Sequence, residues 1–127
     1  MKLKIDCVRD VLLEFETFPF GCYTVYSFKK TLAKYTFDDV LYSLAKLKEA
    51  GFINADMFVG NDGQPDFLGI YDISYAGHDF LYTIREPSVW DKLSDAAQSG
   101  GTASLKLIGD FALEFAKLAI AKKLGMQ

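Results

Sequence analysis

Thr36-Phe37-Asp38-Asp39-Val40-Leu41-Tyr42-Ser43-Leu44-Ala45-Lys46-Leu47-Lys48-Glu49-Ala50-Gly51-Phe52 reads as a helix over 37–50 with a signal at each end. The Thr36 hydroxyl is placed to accept from a backbone N–H of the first turn, and Asp38 and Asp39 complement the positive end of the helix dipole. Val40, Leu41, Leu44 and Leu47 make one apolar face. Lys46 and Lys48 sit near the carboxyl end, Gly51 stands where a left-handed residue is wanted, and Phe52 can fold back on the last turn. The period then drops. Residues 52–58 alternate roughly between apolar and polar, residues 60–66 are dense in turn formers, and residues 67–73 read as a second strand. That pattern predicts a β-hairpin with a loop of about seven to nine residues, long for such a connection.

Upstream, Ile5, Val8, Leu12 and Phe15 form an apolar stripe and predict a helix over 5–16, with Asp6, Arg9, Asp10 and Glu14 on other faces. Phe18-Pro19-Phe20-Gly21 ends it, because proline cannot continue a helix. Residues 22–26 suit a short edge strand, and Ser27 suits the cap of a brief helix holding Phe28, Leu32 and Tyr35. Downstream, Ser74 is placed to cap a helix over 75–85 with Phe80, Leu81 and Ile84 inward. Glu86-Pro87-Ser88 breaks it and starts a short helix over 89–98. Ser99-Gly100-Gly101 is linker-like, and a last helix fills 103–124. Helix, short strand, helix, helix, hairpin, helix is the order of a winged helix-turn-helix. The expected fold class is therefore α+β and mainly helical, with a β-hairpin wing and extra C-terminal helices. Residues 1–98 form the winged-helix domain, 99–102 a Gly/Ser linker and 103–127 an amphipathic helix. Helix 37–50 takes the recognition position.

Length and composition agree with one folded domain: 127 residues, half of them apolar and 24% charged. Asp6, Arg9 and Asp10 interrupt what would otherwise be the start of a secretion signal, and no uncharged apolar run is long enough to span a membrane. Two cysteines, Cys7 and Cys22, are too few for a disulfide scaffold. They read as small buried hydrophobes in a reducing, cytoplasmic setting. Charge is unevenly spread. Residues 49–84 carry Glu49, Asp56, Asp62, Asp66, Asp72 and Asp79 with no lysine or arginine, the wrong sign for holding phosphates.

Several stretches also follow a shared pattern: Asp6-Cys7-Val8-Arg9-Asp10-Val11-Leu12-Leu13, Leu47-Lys48-Glu49-Ala50-Gly51-Phe52-Ile53, and Ile70-Tyr71-Asp72-Ile73-Ser74-Tyr75-Ala76-Gly77-His78-Asp79-Phe80-Leu81. Ile84-Arg85 with Val89-Trp90, and Ala103-Ser104-Leu105-Lys106, extend it. The set resembles the bacterial, often prophage-borne, domain of unknown function 2513 family and touches most of the chain. The resemblance implies a winged-helix fold and a mobile-element context. It brings no activity and no functional residues to carry over.

Nothing in the sequence assembles chemistry. With one histidine, His78, no histidine pair can bind a metal, and no nucleophile-elbow pattern accompanies it. His78 reads as a packed, hydrogen-bonded core residue. Asn61-Asp62-Gly63-Gln64-Pro65-Asp66 lacks the ligand period and closing glutamate of a calcium loop, and reads as a solvated turn. No catalytic residue, metal or cofactor is expected, and the chain is not read as an enzyme. What remains is surface. Asp38, Asp39, Tyr42 and Lys46 on the recognition helix, with Lys29, Lys30 and Lys34 before it, are the candidate macromolecule-contacting residues.

In helix 103–124, Lys106, Asp110, Glu114 and Lys117 form one narrow polar stripe, and apolar side chains take most of the remaining circumference. A helix lying on a single domain needs a narrower apolar face. The helix either packs across the winged-helix core or buries a second face against another subunit, and for the latter Ile108, Phe111, Phe115 and Leu118 are the candidate oligomerisation residues. The favoured reading is a non-enzymatic module making protein contacts, with an unidentified protein or a second copy as partner and no membrane role. The alternative is a DNA-binding transcriptional regulator, disfavoured by the acidic wing. A dimer at micromolar concentration is expected, weakened by Phe111→Glu or Phe115→Glu. Sedimentation showing a monomer at high concentration would overturn this.

Overall fold

The structure, a computed structural model, describes residues 2–100. The last helix predicted by the sequence, 103–124, lies outside them, as do Ile108, Phe111, Phe115 and Leu118. In chain order the elements are α1 (Ile5–Phe15), a 3₁₀ turn (Val25–Ser27), α2 (Lys29–Leu32), α3 (Phe37–Glu49), β1 (Ile53–Val59), β2 (Pro65–Ile73), α4 (Tyr75–Arg85) and α5 (Pro87–Gly100). They divide into two compact units, Met1–His78 and a second that begins at Asp79. The mixed helix-and-strand order, with an antiparallel β1–β2 hairpin after α3, is that of a winged helix.

In the first unit, Cys7, Val8, Val11, Leu12 and Phe15 of α1 are buried together with Val40, Leu44 and Leu47 of α3 and Ile53, Phe67, Ile70 and Ile73 of the hairpin. Helix α3 has the ends its sequence announces. Thr36 Oγ1 accepts from the Asp39 N–H at 3.1 Å. At the other end the Phe52 N–H bonds the Leu47 carbonyl and the Gly51 N–H the Lys48 carbonyl, with Gly51 at φ +82°. Those two bonds make a Schellman cap, which needs the left-handed conformation glycine adopts without a Cβ penalty.

Glu14 departs from expectation. Instead of lying on a solvated face of α1, it is buried and acts as the cap of another helix. Its Oε1 accepts from the Thr31 N–H at 2.9 Å and the Thr31 hydroxyl at 2.8 Å, and its Oε2 from the Lys30 N–H at 3.0 Å. Helix α2 needs this. It is a single turn that begins after Phe28, which offers no side-chain cap, and a helix that short does not persist on its own. The predicted cap, Ser27, is turned the other way, its Oγ accepting from the Thr24 N–H at 3.0 Å. One turn earlier on α1, Asp10 grips the segment after α2, accepting from the Tyr35 hydroxyl at 3.0 Å with Lys34 Nζ at 3.8 Å.

The predicted strand over 22–26 shrinks to one bridge. Only Tyr23 pairs with Ile70, through bonds of 2.8 and 2.9 Å, before the Thr24–Ser27 bonds divert the backbone into the 3₁₀ turn. The Tyr23 ring joins Phe15, Phe18 and Phe28 in an aromatic cluster, with Phe18 4.7 Å from Tyr23 and 5.1 Å from Phe28 between centroids. Cys7 is buried as expected, but Cys22 is exposed, since the chain here pairs only at Tyr23.

β1 pairs with β2 from Ile53↔Ile73 to Val59↔Pro65, with irregularities after Asn54 and after Asp56 that leave Tyr71 and Leu68 as extra residues. The connecting loop is residues 60–64, shorter than the sequence suggests, because Pro65 and Asp66 join the strand. At the hairpin base the Ser74 hydroxyl donates to the Gly51 carbonyl at 2.5 Å and accepts from the Gly77 N–H at 3.0 Å, capping α4 as predicted. A Cβ on Gly77 would run into the Phe52 carbonyl, so no other residue fits this joint without displacing it. His78, one residue on, is exposed rather than packed, because the inward positions of this turn belong to Gly77 and Phe80.

In the second unit Phe80, Leu81, Ile84, Val89 and Trp90 are buried. Glu86 separates α4 from α5, its carbonyl accepting from the Trp90 N–H at 2.9 Å, with Pro87 at the first helical position that suits proline. Ser99 and Gly100 lie within α5.

Removing the Glu14 carboxylate strands two backbone donors and a hydroxyl. Glu14→Ala is expected to lower stability by about 3 kcal/mol, and Glu14→Gln, which keeps one acceptor oxygen, by about 1 kcal/mol. Urea unfolding of both variants checks this; equal losses would show that side-chain volume, not capping, is what Glu14 supplies.

Candidate interaction surface

Two surfaces of a winged helix meet a partner, the recognition helix with its preceding turn and the wing. On α3, Asp38 is exposed in the first turn, while Asp39 is half-buried and engaged. Its Oδ2 accepts from Lys4 Nζ at 2.9 Å, and this bond is the main cause that holds the Asp39 carboxyl below its usual range. The two acids that seemed alike in sequence therefore differ: Asp39 is balanced by a cation, Asp38 projects its charge. Further along, Tyr42 is half-buried and Lys46 Nζ lies 5.4 Å from its ring centroid. Lys46 also donates to Glu49 at 2.9 Å, which pushes its own pKa up.

Lys34 is spoken for by Asp10. The nearby Tyr35 phenol is pushed up by burial and by its bond to that carboxylate. Lys29 and Lys30 are exposed, and no ion pair engages either of them among the described residues. Of the lysines around α2 and α3, Lys34 and Lys46 are thus engaged, while no ion pair engages Lys29, Lys30 or Lys48 among the described residues. Beside it, Tyr26 is exposed and packs on Phe37 with centroids 5.1 Å apart.

The wing is acidic and partly apolar. Asp62 Oδ1 accepts from the Gln64 N–H at 3.0 Å and shapes the turn with Gly63 at φ +77°. Asp56 accepts from the Tyr71 hydroxyl at 2.9 Å, raising that phenol's pKa, and Asp72 accepts from Asn54 at 2.7 Å. Phe58, Val59 and Leu68 stand exposed among these acids. Met57-Phe58-Val59 are three consecutive apolar residues in a period-two strand, so at least one had to point outward.

Among the described residues, no group of three or more His, Cys, Asp or Glu side chains is placed to hold a metal ion, and no helix is long and apolar enough to cross a membrane. Burial pushes the Cys7 thiol up, a hydrogen bond with Ser43 partly offsetting it.

Fold and surfaces together define a winged-helix domain with an acidic wing. The chain belongs to the DUF2513 family, described as hypothetical protein, whose model matches residues 2–103. No curated protein matches it. Among solved structures it is similar to a "putative transcriptional regulator" from Thermoplasma acidophilum, 23% identical, covering 73% of this chain and 90% of that one with a TM-score of 0.45.

The Lys4 pair gives a direct test. A carboxyl with a lowered folded pKa contributes stability above its unfolded pKa and loses it as pH falls through the folded value. Lys4→Ala is therefore expected to raise the Asp39 pKa toward the ordinary carboxylate range, read by NMR titration, and to remove this contribution at neutral pH. An Asp39 titration unchanged by Lys4→Ala would show the pair is not formed in solution.

Proposed function

We propose that the chain is a non-enzymatic winged-helix module that acts through protein contacts, with self-association through residues 103–124 as part of that role. One observation carries the reading: the wing and the leading turn of α3, the parts of this fold that approach DNA, carry unbalanced acids. Asp38 is exposed at the start of α3, and the hairpin, residues 53–73, carries Asp56, Asp62, Asp66 and Asp72 with no lysine or arginine. Each absent phosphate contact forgoes counterion release, which drives much of DNA affinity. Lys4, Lys34 and Lys46 are already engaged by acids of the same domain. The alternative, a DNA-binding regulator using the lysines of α2 and α3, draws on Lys29, Lys30 and Lys48, which no ion pair engages among the described residues.

DNA affinity is expected to be no tighter than about 1 µM at physiological salt and insensitive to sequence. Replacing Asp38 and Asp39 together by Asn is expected to strengthen that non-specific binding. A salt titration of wild type and variant on a pool of genomic fragments measures both. Nanomolar, sequence-selective binding by the wild type at about 150 mM salt would overturn the proposal in favour of the regulator.

A further inference from the structure

β1 is paired on one side only. β2 lies along one edge, the Tyr23 bridge falls on the far side of β2 at Ile70, and among the described residues no strand occupies the other edge of β1. A free strand edge offers a row of N–H and C=O groups to any extended chain, and proteins blunt such edges with lysine or proline. Ile53-Asn54-Ala55-Asp56-Met57-Phe58-Val59 contains neither. Asn54, Asp56 and Phe58 share its outward face, and Val59, on the opposite face, is 71% exposed. Asp66 stands across from Phe58, and Asp62 lies in the adjoining turn.

This surface selects its occupant by charge. A second copy of the hairpin would set carboxylates against carboxylates, and a nucleic acid would do the same with phosphates. An extended segment with Lys or Arg on one face and apolar residues on the other fits both chemistries. Its cations would meet Asp56 and Asp66 with their aliphatic stems along Phe58, while its apolar side chains lie beside Val59.

We infer that the free edge of β1 receives an extended segment of a partner protein, in which cationic and apolar residues alternate, as an added strand of the wing sheet. The inference rests on the protein-contact reading above and names the partner's chemistry. Main-chain bonds supply the attraction common to strand addition, and the alternating side chains supply the selectivity.

The probe is a synthetic peptide alternating valine with lysine, long enough to run the length of β1, added to the full chain and followed by amide NMR. Shifts and slowed exchange are expected at residues 53–59. A valine–glutamate peptide should leave the spectrum unchanged. Asp56→Asn with Asp66→Asn should weaken the lysine peptide about tenfold, and Val59→Lys, at an exposed position, should abolish binding. Shifts centred elsewhere, equal binding of the glutamate peptide, indifference to both variants, or no binding would each overturn strand addition. Selective nanomolar DNA binding would instead remove the protein-contact reading beneath it, so the two failures are told apart.

Discussion

The first unit depends on two acids one turn apart on α1. Glu14 holds the start of α2 through the Lys30 and Thr31 amides, and Asp10 holds the segment after it through Tyr35. A four-residue helix has too few internal bonds to set its own direction. Gripped at both ends by one face of α1, it becomes a rigid spacer that delivers the chain to Thr36, where α3 begins. The placement of the recognition helix is thus inherited from α1. The carboxylate is also well matched to its donors: all three bonds to Glu14 are charge-assisted, the stronger kind, and they form where little water competes.

Signals carried within one helical turn were readable in advance. Thr36, Gly51 and Ser74 cap the helices they were expected to cap, because a cap residue and its target are at most a few positions apart. The hairpin likewise follows from local alternation and turn formers. What escaped depends on partners distant in sequence. Glu14 and Thr31 are 17 residues apart, so a glutamate between apolar positions looked like any solvated acid. Lys4 and Asp39 are 35 apart, and nothing local distinguishes Asp39 from Asp38. Exposed His78 and Cys22 were misjudged for the converse reason: residue type suggested burial, while the backbone around them had other side chains to place inward.

These long-range pairs alter the surface as well as the fold. Of the lysines that form a basic group in sequence, Lys34 and Lys46 are held by Asp10 and Glu49, and outside that group Lys4 is held by Asp39, so their fields are largely local. Among the described residues the hairpin acids form no ion pair, and Asp56 and Asp72 bond to the neutral Tyr71 and Asn54. The wing is therefore an acidic face of the first unit, and its exposed apolar residues Phe58, Val59 and Leu68 sit among those acids.

The joint at Gly51, Phe52 and Ser74 has a separate consequence. The hairpin leaves the helical scaffold at Gly51 and Phe52 and returns to the same two carbonyls through the Ser74 hydroxyl and N–H. An excursion closed at its base by main-chain bonds can change in length at its tip while the scaffold keeps its geometry, since each doubling of a flexible loop costs only about 0.6 kcal/mol. The distal turn of this domain is thus built as a graft site, where insertions and new chemistries can be tried by evolution with the helices left as they are.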